Sequence, residues 1–267
     1  VRTRQWSDEI VTELGLPRHL LPPLLESSDL AGQLQETAAK DLGLPPGIPV
    51  VAGCADQVAQ AVGNGLFDSG AGSVTLGSGG QLFMPLVSPV SHPNLTLHNF
   101  CHAPSERWYL LGAMLTAGLS FRWLRDLLGL TGDAQAYAHL AALAADVPPG
   151  ADGLLFLPYL AGERSPLMDP LARGCFIGLT LRHEPGHLAR AIMEGVAFAL
   201  RHILDNMVDS GTPVNRLLAA GNGLSNPLWR QIVADILARP LYQSSAEERT
   251  AVGAASDRGQ PLREILE

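Results

Sequence analysis

The sequence lacks any run of basic residues, and acidic side chains outnumber basic ones. Its 267 residues include 18 Lys and Arg against 26 Asp and Glu, which gives a formal net charge of −8. Acidic chains without a basic patch are poor partners for a nucleic-acid duplex or an anionic membrane surface. We therefore expect neither partner, and we expect any phosphate ligand to be held by local backbone geometry or by a metal ion.

Cysteines and long apolar runs are also scarce. The three cysteines, Cys54, Cys101 and Cys175, form no CxxC pair, and their odd number argues against a disulfide framework. No apolar run reaches the ~18 residues of a membrane span, and no secretory signal opens the chain. These absences predict a cytoplasmic location. Because Val1 stands where an initiator Met would be, we also expect the chain to be a piece of a longer protein.

Predicted strands and helices alternate along the chain, which indicates an α/β protein. Helical patterns cover 7–14, 33–42, 56–62, 133–147, 187–208 and 226–238. A further amphipathic helix within 116–130 is predicted to bury one face, formed by Leu119, Trp123, Leu127 and Leu128. Glycines cluster in 67–72, where the order of elements resets. We place a domain boundary there, so that 1–68 end one domain and 69–267 form a second.

One carboxylate stands out among small residues in the segment PVVAGCADQVAQAVGNG, where Asp56 directly follows a predicted strand. It could cap the next helix by accepting a hydrogen bond from the first turn, which contributes ~1 kcal/mol. It could also act as a general base, since ligands of α/β proteins bind where strands give way to helices. The two interpretations are compatible.

Two glycine-rich turns are candidates for nucleotide contacts. LGSGG, at 76–80, is typical of a hairpin turn between two strands, but glycines also let a backbone approach a phosphate. In AAGNGLSNPLW, Gly221 and Gly223 supply half of a dinucleotide fingerprint, whereas Asn226 replaces the third glycine. No acidic residue for a ribose follows ~20 residues later, which disfavours a dehydrogenase. A turn against an adenine or ribose stays open, with Asn226 as helix cap.

HEPGH matches a zinc-protease pattern in form only. Pro185 is favoured at a helix start, so His183 is predicted to lie outside the helix that carries His187. No metal-ligating residue is therefore predicted here. We interpret HNFCH, at 98–102, as a loop.

The loop GERSPLMDP follows a predicted strand and holds Glu163, Arg164 and Asp169. These charged residues could be solvated. They could also line a ligand site, because the loop lies between a buried strand and a long helix.

Several motifs in order resemble the FGGY carbohydrate kinases, over about residues 1–255. The longest is LLFLPYLAGERSPLMDPLARGCFIGLT with the helix that follows it, which is more similar to the xylulokinase branch of the family than to the glycerol kinases. GCADQVAQAVGNG, SVTLGSGG and AAGNGLSNPLWRQIVADIL match the family's other signature segments.

The resemblance implies an actin-like ATPase fold, in which two ribonuclease-H-like domains enclose an ATP cleft. It implies ATP- and Mg²⁺-dependent phosphorylation of a ketopentose, D-xylulose to D-xylulose 5-phosphate, by a cytoplasmic enzyme that could be a homodimer. A kinase for another pentulose or polyol is the near alternative. A non-catalytic nucleotide-binding module, with Asp56 only as a cap, is the more distant one.

By the same resemblance, Asp56 is the base that deprotonates the sugar hydroxyl, and Asp56 and Gln57 bind the sugar. The implied ATP-binding residues are Gly77, Ser78, Gly79, Gly118, Gly221, Asn222 and Asn226.

The sequence also departs from the family pattern. The first half of that pattern is absent, and the tail after residue 255 leaves it. We therefore expect the isolated chain to carry the base and half of the ATP site, and to be inactive alone.

Overall fold

A computed structural model of the protein describes residues 1–90, 95–243 and 249–255. The helices are α1 (Asp8–Glu13), α2 (Glu36–Leu42), α3 (Asp56–Gly63), α4 (Gly118–Leu127), α5 (Ala136–Ala145), α6 (Pro185–Asp209), α7 (Pro227–Leu237) and α8 (Arg249–Ala255). The strands are β1 (Leu30–Gln33), β2 (Pro49–Val51), β3 (Gly70–Leu76), β4 (Gly80–Leu86), β5 (His98–Cys101), β6 (Trp108–Met114), β7 (Leu155–Leu157), β8 (Cys175–Ile177), β9 (Val214–Ala220) and β10 (Leu241–Gln243). Within these ranges, no helix has the length and apolar character needed to cross a membrane.

A mixed sheet forms the centre of the molecule, with strand order β10-β9-β3-β4-β6-β5. β3 is parallel to β9, and β4 is antiparallel to both β3 and β6. The carboxyl ends of β3, β6 and β9 therefore lie at one edge of the sheet, where Gly80 pairs with both Leu76 and Met114. Ligand sites of α/β proteins form at such edges.

The two faces of the sheet are covered by different parts of the chain. Helices α4, α5, α6 and α7 pack on one face, where Leu82 and Met84 of β4 join a large apolar core. The alternate residue, Phe83, points to the other face and packs with Val58 of α3. This alternation follows from the two-residue period of a strand. It lets α3, which lies in the segment before the predicted boundary, be buried by the sheet that follows it.

Further contacts join the segment before β3 to α8 and to β6. At Gly253 of α8, a Cβ would clash with the carbonyl of Ala59 and lie 2.8 Å from the nitrogen of Gly63, so glycine permits the close approach of α8 to α3. The Arg4 guanidinium lies 5.1 Å from the ring centroid of Trp108 in β6. In contrast, α1, β1 and β2 contain no buried residue.

Most predicted elements are present, although some predictions from the sequence were wrong. The hairpin of β3 and β4 around the LGSGG turn is confirmed. The predicted helix 33–42 begins only at Glu36, because Gln33 belongs to β1 and pairs with Pro49 of the antiparallel strand β2. HNFCH is not a loop: its first four residues are β5, which pairs with β6. That pairing is a contact between distant residues, which local sequence does not reveal.

The predicted buried face of α4 was wrong in part. Trp123 and Leu128 are half-buried against the core, as predicted, but Phe121 and Leu124 are the buried apolar residues and Leu127 is 63% exposed. The ring of Phe121 lies 5.3 Å from that of Trp229 in α7. Tertiary packing against α7 therefore selects the buried face of this helix.

Candidate functional site

Three turns meet at the edge of the sheet where β3, β6 and β9 end. They are the LGSGG turn after β3, the corner between β6 and α4, and the turn between β9 and α7. The turn after β9 contains a short 3-10 helix, Asn222–Ser225. Each turn follows a strand of the same sheet, so the topology brings residues from distant parts of the sequence to one place.

Backbone hydrogen bonds join the LGSGG turn to the start of α4. The N–H groups of Ala117 and Leu119 donate to the carbonyl of Ser78 at 3.0 and 2.9 Å, and that of Gly118 donates to Gly77 at 3.0 Å. A Cβ at position 118 would clash with the Gly77 carbonyl, so this contact requires glycine. These first N–H groups of α4 are thus used to hold the turn, and they are not free for a ligand.

The turn after β9 packs directly on the end of β3. Gly221 has a φ of +83°, and a Cβ there would lie 2.5 Å from the carbonyl oxygen of Leu76. Asn226 caps α7 as predicted, with its Oδ1 accepting a hydrogen bond from the Trp229 N–H at 3.0 Å. Glycine at 221 therefore permits the close approach, and Asn226 fixes where the helix begins.

A cavity of about 370 Å³ lies between these turns. Of the residues predicted to bind ATP, those that line it are Gly77, Ser78, Gly118, Asn222 and Asn226. Gly79 and Gly221 are absent from the lining and pack behind it, since a Cβ on Gly79 would lie 2.6 Å from the Met114 carbonyl oxygen. The structure thus gathers the predicted nucleotide residues, with two of them supporting the wall.

An aromatic wall that the sequence did not predict forms another side of the cavity. Phe121 is stacked with Tyr137 at 6.2 Å between ring centroids, and Phe121 and Trp229 both line the cavity. Arg122 adds a cation to the lining. Flat apolar side chains can pack against a planar ring of a ligand. An arginine and a glycine-rich turn can bind a chain of anionic groups on the same ligand. The sequence gives little indication of this aromatic wall, because its residues lie on three separate helices.

Asp56 lies outside that lining, on an exposed position at the start of α3. The N-cap residue is Ala55, one residue before the predicted position. The Asp56 carboxylate instead accepts, through Oδ1, the N–H of the next residue, Gln57, at 2.7 Å. This arrangement corrects the predicted cap position and leaves the carboxylate accessible to a ligand.

Gln57 has a partner on the central sheet. Burial raises the pKa of Tyr109, and a side-chain hydrogen bond with Gln57 partly offsets that rise. The Tyr109 ring is itself held by stacking on Phe83, with 4.5 Å between the ring centroids. Gln57, the residue next to Asp56, is therefore linked to β6 through the side chain of the buried Tyr109.

Glu163 is neither solvated nor part of the cavity lining, the two possibilities that the sequence left open. It is only 3% exposed, and its Oε1 accepts hydrogen bonds from the N–H groups of Leu115 and Arg164 at 2.8 and 2.7 Å. Burial raises the pKa of this carboxyl, and the backbone donors act in the opposite direction. The loop GERSPLMDP thus contacts the corner between β6 and α4 from behind.

The remaining motif, HEPGH, starts α6 as predicted. The helix begins at Pro185, so His183 lies before it, and His187 Nδ1 accepts the Glu184 N–H at 3.1 Å. Among the described residues, no three His, Cys, Asp or Glu side chains are grouped closely enough to hold a metal ion. The three cysteines form no disulfide with one another.

Comparisons with known proteins place these features in a family. The family model for the C-terminal domain of the FGGY family of carbohydrate kinases matches residues 72–256, and that for its N-terminal domain matches residues 1–63. A xylulose kinase of Escherichia coli (strain K12) is 38% identical over 256 residues, which cover 96% of this chain and 52% of that protein. A glycerol kinase of Clavibacter michiganensis is 34% identical over 260 residues, which cover 96% of this chain and 50% of that protein.

Solved structures agree with the sequence comparison. The crystal structure of xylulose kinase from Rhodospirillum rubrum is 35% identical and matches with a TM-score of 0.83, covering 94% of this chain and 50% of that one. The predicted actin-like ATPase fold is thereby confirmed. The chain spans about half the length of the curated relatives it matches. It belongs to the FGGY family of carbohydrate kinases.

Proposed function

We propose that the complete protein transfers a phosphoryl group from ATP to a ketopentose, converting D-xylulose to D-xylulose 5-phosphate. The observation that carries this proposal is the cavity where three turns meet, lined by Gly77, Gly118 and Asn226 beside an aromatic wall. The 38% identity to a xylulose kinase supports the choice of sugar. Phosphoryl transfer needs mainly positioning and charge stabilisation, which a cavity of fixed backbone groups can supply.

In this proposal the nucleotide occupies the cavity. Its terminal phosphates lie at the turn formed by Gly77, Ser78 and Gly79. Gly118 lies beside the nucleotide, between its phosphates and the aromatic wall. Its adenosine lies against the turn after β9, which contributes Gly221, Asn222 and Asn226. The support is that most of these residues share one lining, while Gly79 and Gly221 pack directly behind it.

Mg²⁺ is part of the proposal as a companion of the nucleotide. The cavity lining among the described residues includes no Asp or Glu, the side chains that Mg²⁺ prefers in proteins. The residues present therefore do not form a metal site of their own. We propose that Mg²⁺ arrives bound to the phosphate oxygens of ATP, and we assign no step to a metal ligand of this chain.

Asp56 is the proposed base, accepting the proton of the sugar hydroxyl that attacks the terminal phosphate. Its exposure at the start of α3 supports this role, because a base must reach its substrate. Gln57 is proposed to contact the same sugar while its side chain is held by Tyr109.

We further propose that 1–68 and 69–267 are parts of two domains, with the base on the first and the nucleotide turns on the second. Each domain then contributes one half of the reaction, and the isolated chain should be inactive. A cytoplasmic location is supported by three cysteines that form no disulfide with one another. A homodimer of the complete protein is proposed from the family resemblance alone.

A kinase for another polyol is the second candidate, favoured by the 34% identity to a glycerol kinase. The test is to assay the complete protein with ATP across pentuloses and glycerol. D-xylulose should give the highest turnover. Preferential turnover of glycerol or another pentulose would support the second candidate, and no sugar-dependent turnover would indicate a nucleotide-binding module.

The same assay tests the base. Asp56→Asn should lower turnover by about 10²–10⁴-fold, because general base catalysis contributes that range. The KM for ATP should change little. Asp41→Asn, which replaces an exposed carboxylate on α2, is the matched control and should retain full activity. Full activity of the Asp56 variant would exclude Asp56 as the base.

A further inference from the structure

The loop GERSPLMDP is closed on itself, which fixes the backbone of Glu163. The Glu163 N–H donates to the Asp169 carbonyl at 2.8 Å, and the Asp169 N–H donates back to Glu163 at 2.9 Å. Gly162 has a φ of +74°, and a Cβ there would lie 2.6 Å from the carbonyl oxygen of Pro170. The ends of the loop therefore meet tightly, and the Glu163 side chain leaves from a defined position.

That side chain points into the protein. Buried carboxylates are unfavourable unless hydrogen bonds compensate them. Oε1 of Glu163 is compensated by the N–H groups of Leu115 and Arg164. Oε2 is also buried, and it has no hydrogen-bond partner among the described residues. Because Oε2 gains no hydrogen bond, the polar contacts of this side chain are those of Oε1.

The acceptor oxygen holds the corner between β6 and α4. Leu115 begins that corner, and the Thr116 hydroxyl donates to the carbonyl of Pro158, which precedes the same loop. The backbone of the corner is in turn pressed against the LGSGG turn, since a Cβ on Gly79 would lie 2.6 Å from the Met114 carbonyl oxygen and 3.4 Å from that of Leu115. A displacement of the corner would therefore displace the turn.

The next residues of the corner hold the turn by hydrogen bonds. Ala117, Gly118 and Leu119 donate their N–H groups to the carbonyls of Gly77 and Ser78. One continuous set of contacts thus runs from the Glu163 carboxylate, through the corner, to the turn that lines the cavity.

We propose that Glu163 is a positioning residue for the nucleotide phosphates. It does not touch the nucleotide, but fixes the corner that shapes the LGSGG turn. This inference rests on the proposed nucleotide site, although its structural half, that Glu163 holds the corner, can be tested without any nucleotide.

The test compares Glu163→Ala, Glu163→Gln and Ser165→Ala in this chain. Ser165 is the matched control, because it is buried in the same loop but its hydroxyl donates to the carbonyl of Thr96 and not to the corner. Two quantities are measured: hydrogen exchange of the amides of 115–119, without nucleotide, and ATP affinity by calorimetry.

Glu163→Ala should speed exchange in 115–119 and weaken ATP binding, each on the order of tenfold, as expected when buried backbone donors lose their hydrogen-bond acceptor. Glu163→Gln keeps an acceptor oxygen and should restore both values. Ser165→Ala should lower thermal stability but leave both values unchanged. If Glu163→Ala fails to fold, Glu163→Asp, whose shorter side chain withdraws the oxygen from Leu115, should show the same faster exchange.

The proposal is overturned if the Glu163 variants behave like Ser165→Ala, because Glu163 would then only stabilise its own loop. Unchanged exchange in 115–119 would overturn it as well. An unmodified chain that binds no ATP would instead contradict the proposed nucleotide site, while the exchange measurement would still decide whether Glu163 holds the corner.

Discussion

The nucleotide side and the acid side of the proposed site differ in what holds them in place. On the nucleotide side, backbone groups of three turns touch, and glycine is required at Gly118 and Gly221 because a Cβ would meet a carbonyl. On the acid side, Asp56 lies exposed at the start of α3. The elements before it, α1, β1 and β2, contain no buried residue. The nucleotide side is therefore fixed by main-chain contacts among its turns, whereas the acid side depends on the packing of α3 against the sheet and against α8.

Side-chain contacts attach α3 and the residues after it to the sheet. Val58 packs on Phe83, Gln57 is hydrogen-bonded to Tyr109, and His102 contacts the Leu66 carbonyl. Mutations should therefore separate the two sides. Changes at the turns should affect both stability and ATP binding, and changes under α3 should affect stability alone.

The largest effect is expected from Gly118→Ala, which would break the contact between α4 and the LGSGG turn. The added methyl group clashes with the Gly77 carbonyl, so we expect a loss of about 1–3 kcal/mol in the free energy of unfolding, as for other overpacked sites. Urea denaturation measures this. Gly132→Ala is the control, because a Cβ there meets nothing within 4 Å. Equal stability of the two variants would show that the turns are not locked by packing.

A smaller effect is expected from Tyr109→Phe, which removes the hydroxyl that holds Gln57. The net value of such a hydrogen bond is about 1 kcal/mol, and the half-buried Gln57 amide can turn to water when its partner is lost. Stability should fall by that amount in urea denaturation, while ATP affinity stays unchanged. Tyr242→Phe, at an exposed position of β10, should change neither. A change in ATP affinity in Tyr109→Phe would mean that the two sides are not independent.

The smallest effect is a pH dependence that arises under α3. His102 is 2% exposed, its Nε2 lies 2.9 Å from the Leu66 carbonyl oxygen, and its Nδ1 accepts the Ala103 N–H. The ring is therefore held neutral, and burial is the main cause that lowers the pKa of His102 below 6.5. As the pH falls below that value, the unfolded state takes up the proton first, so stability should decrease.

Unfolding free energies measured between about pH 5 and pH 7 test this, since the decrease in stability should begin near the ordinary histidine pKa. Burial also lowers the pKa of His98, which should contribute in the same direction. His102→Phe should remove the contribution of His102 to this dependence of stability on pH, although the variant is less stable at all pH values. An unchanged slope in that variant would assign the pH dependence elsewhere.

Local signals were sufficient to predict the parts of the site that short segments specify. The hairpin turn at 76–80 follows from its glycines, the start of α6 from Pro185, and the cap of α7 from Asn226 followed by a proline. The resemblance to the family then identified nine residues, of which five line one cavity: Gly77, Ser78, Gly118, Asn222 and Asn226.

The rest depends on contacts between distant residues, which no short segment reveals. Phe121 is buried because α7 brings Trp229 to it, and HNFCH becomes a strand because β6 pairs with it. Glu163 stands in a polar loop that is typical of a solvated surface, yet it is buried against the Leu115 N–H. The charge and polarity of a segment do not show whether the fold places a backbone N–H donor beside one of its side chains.

Calorimetric titration of this chain with Mg²⁺·ATP tests most directly that the cavity between the three turns is the nucleotide site. We expect weak but saturable binding to the unmodified chain, equal binding to Asp56→Asn, and none to Gly118→Ala. Binding that persists unchanged in Gly118→Ala, or its absence from the unmodified chain, would contradict the account.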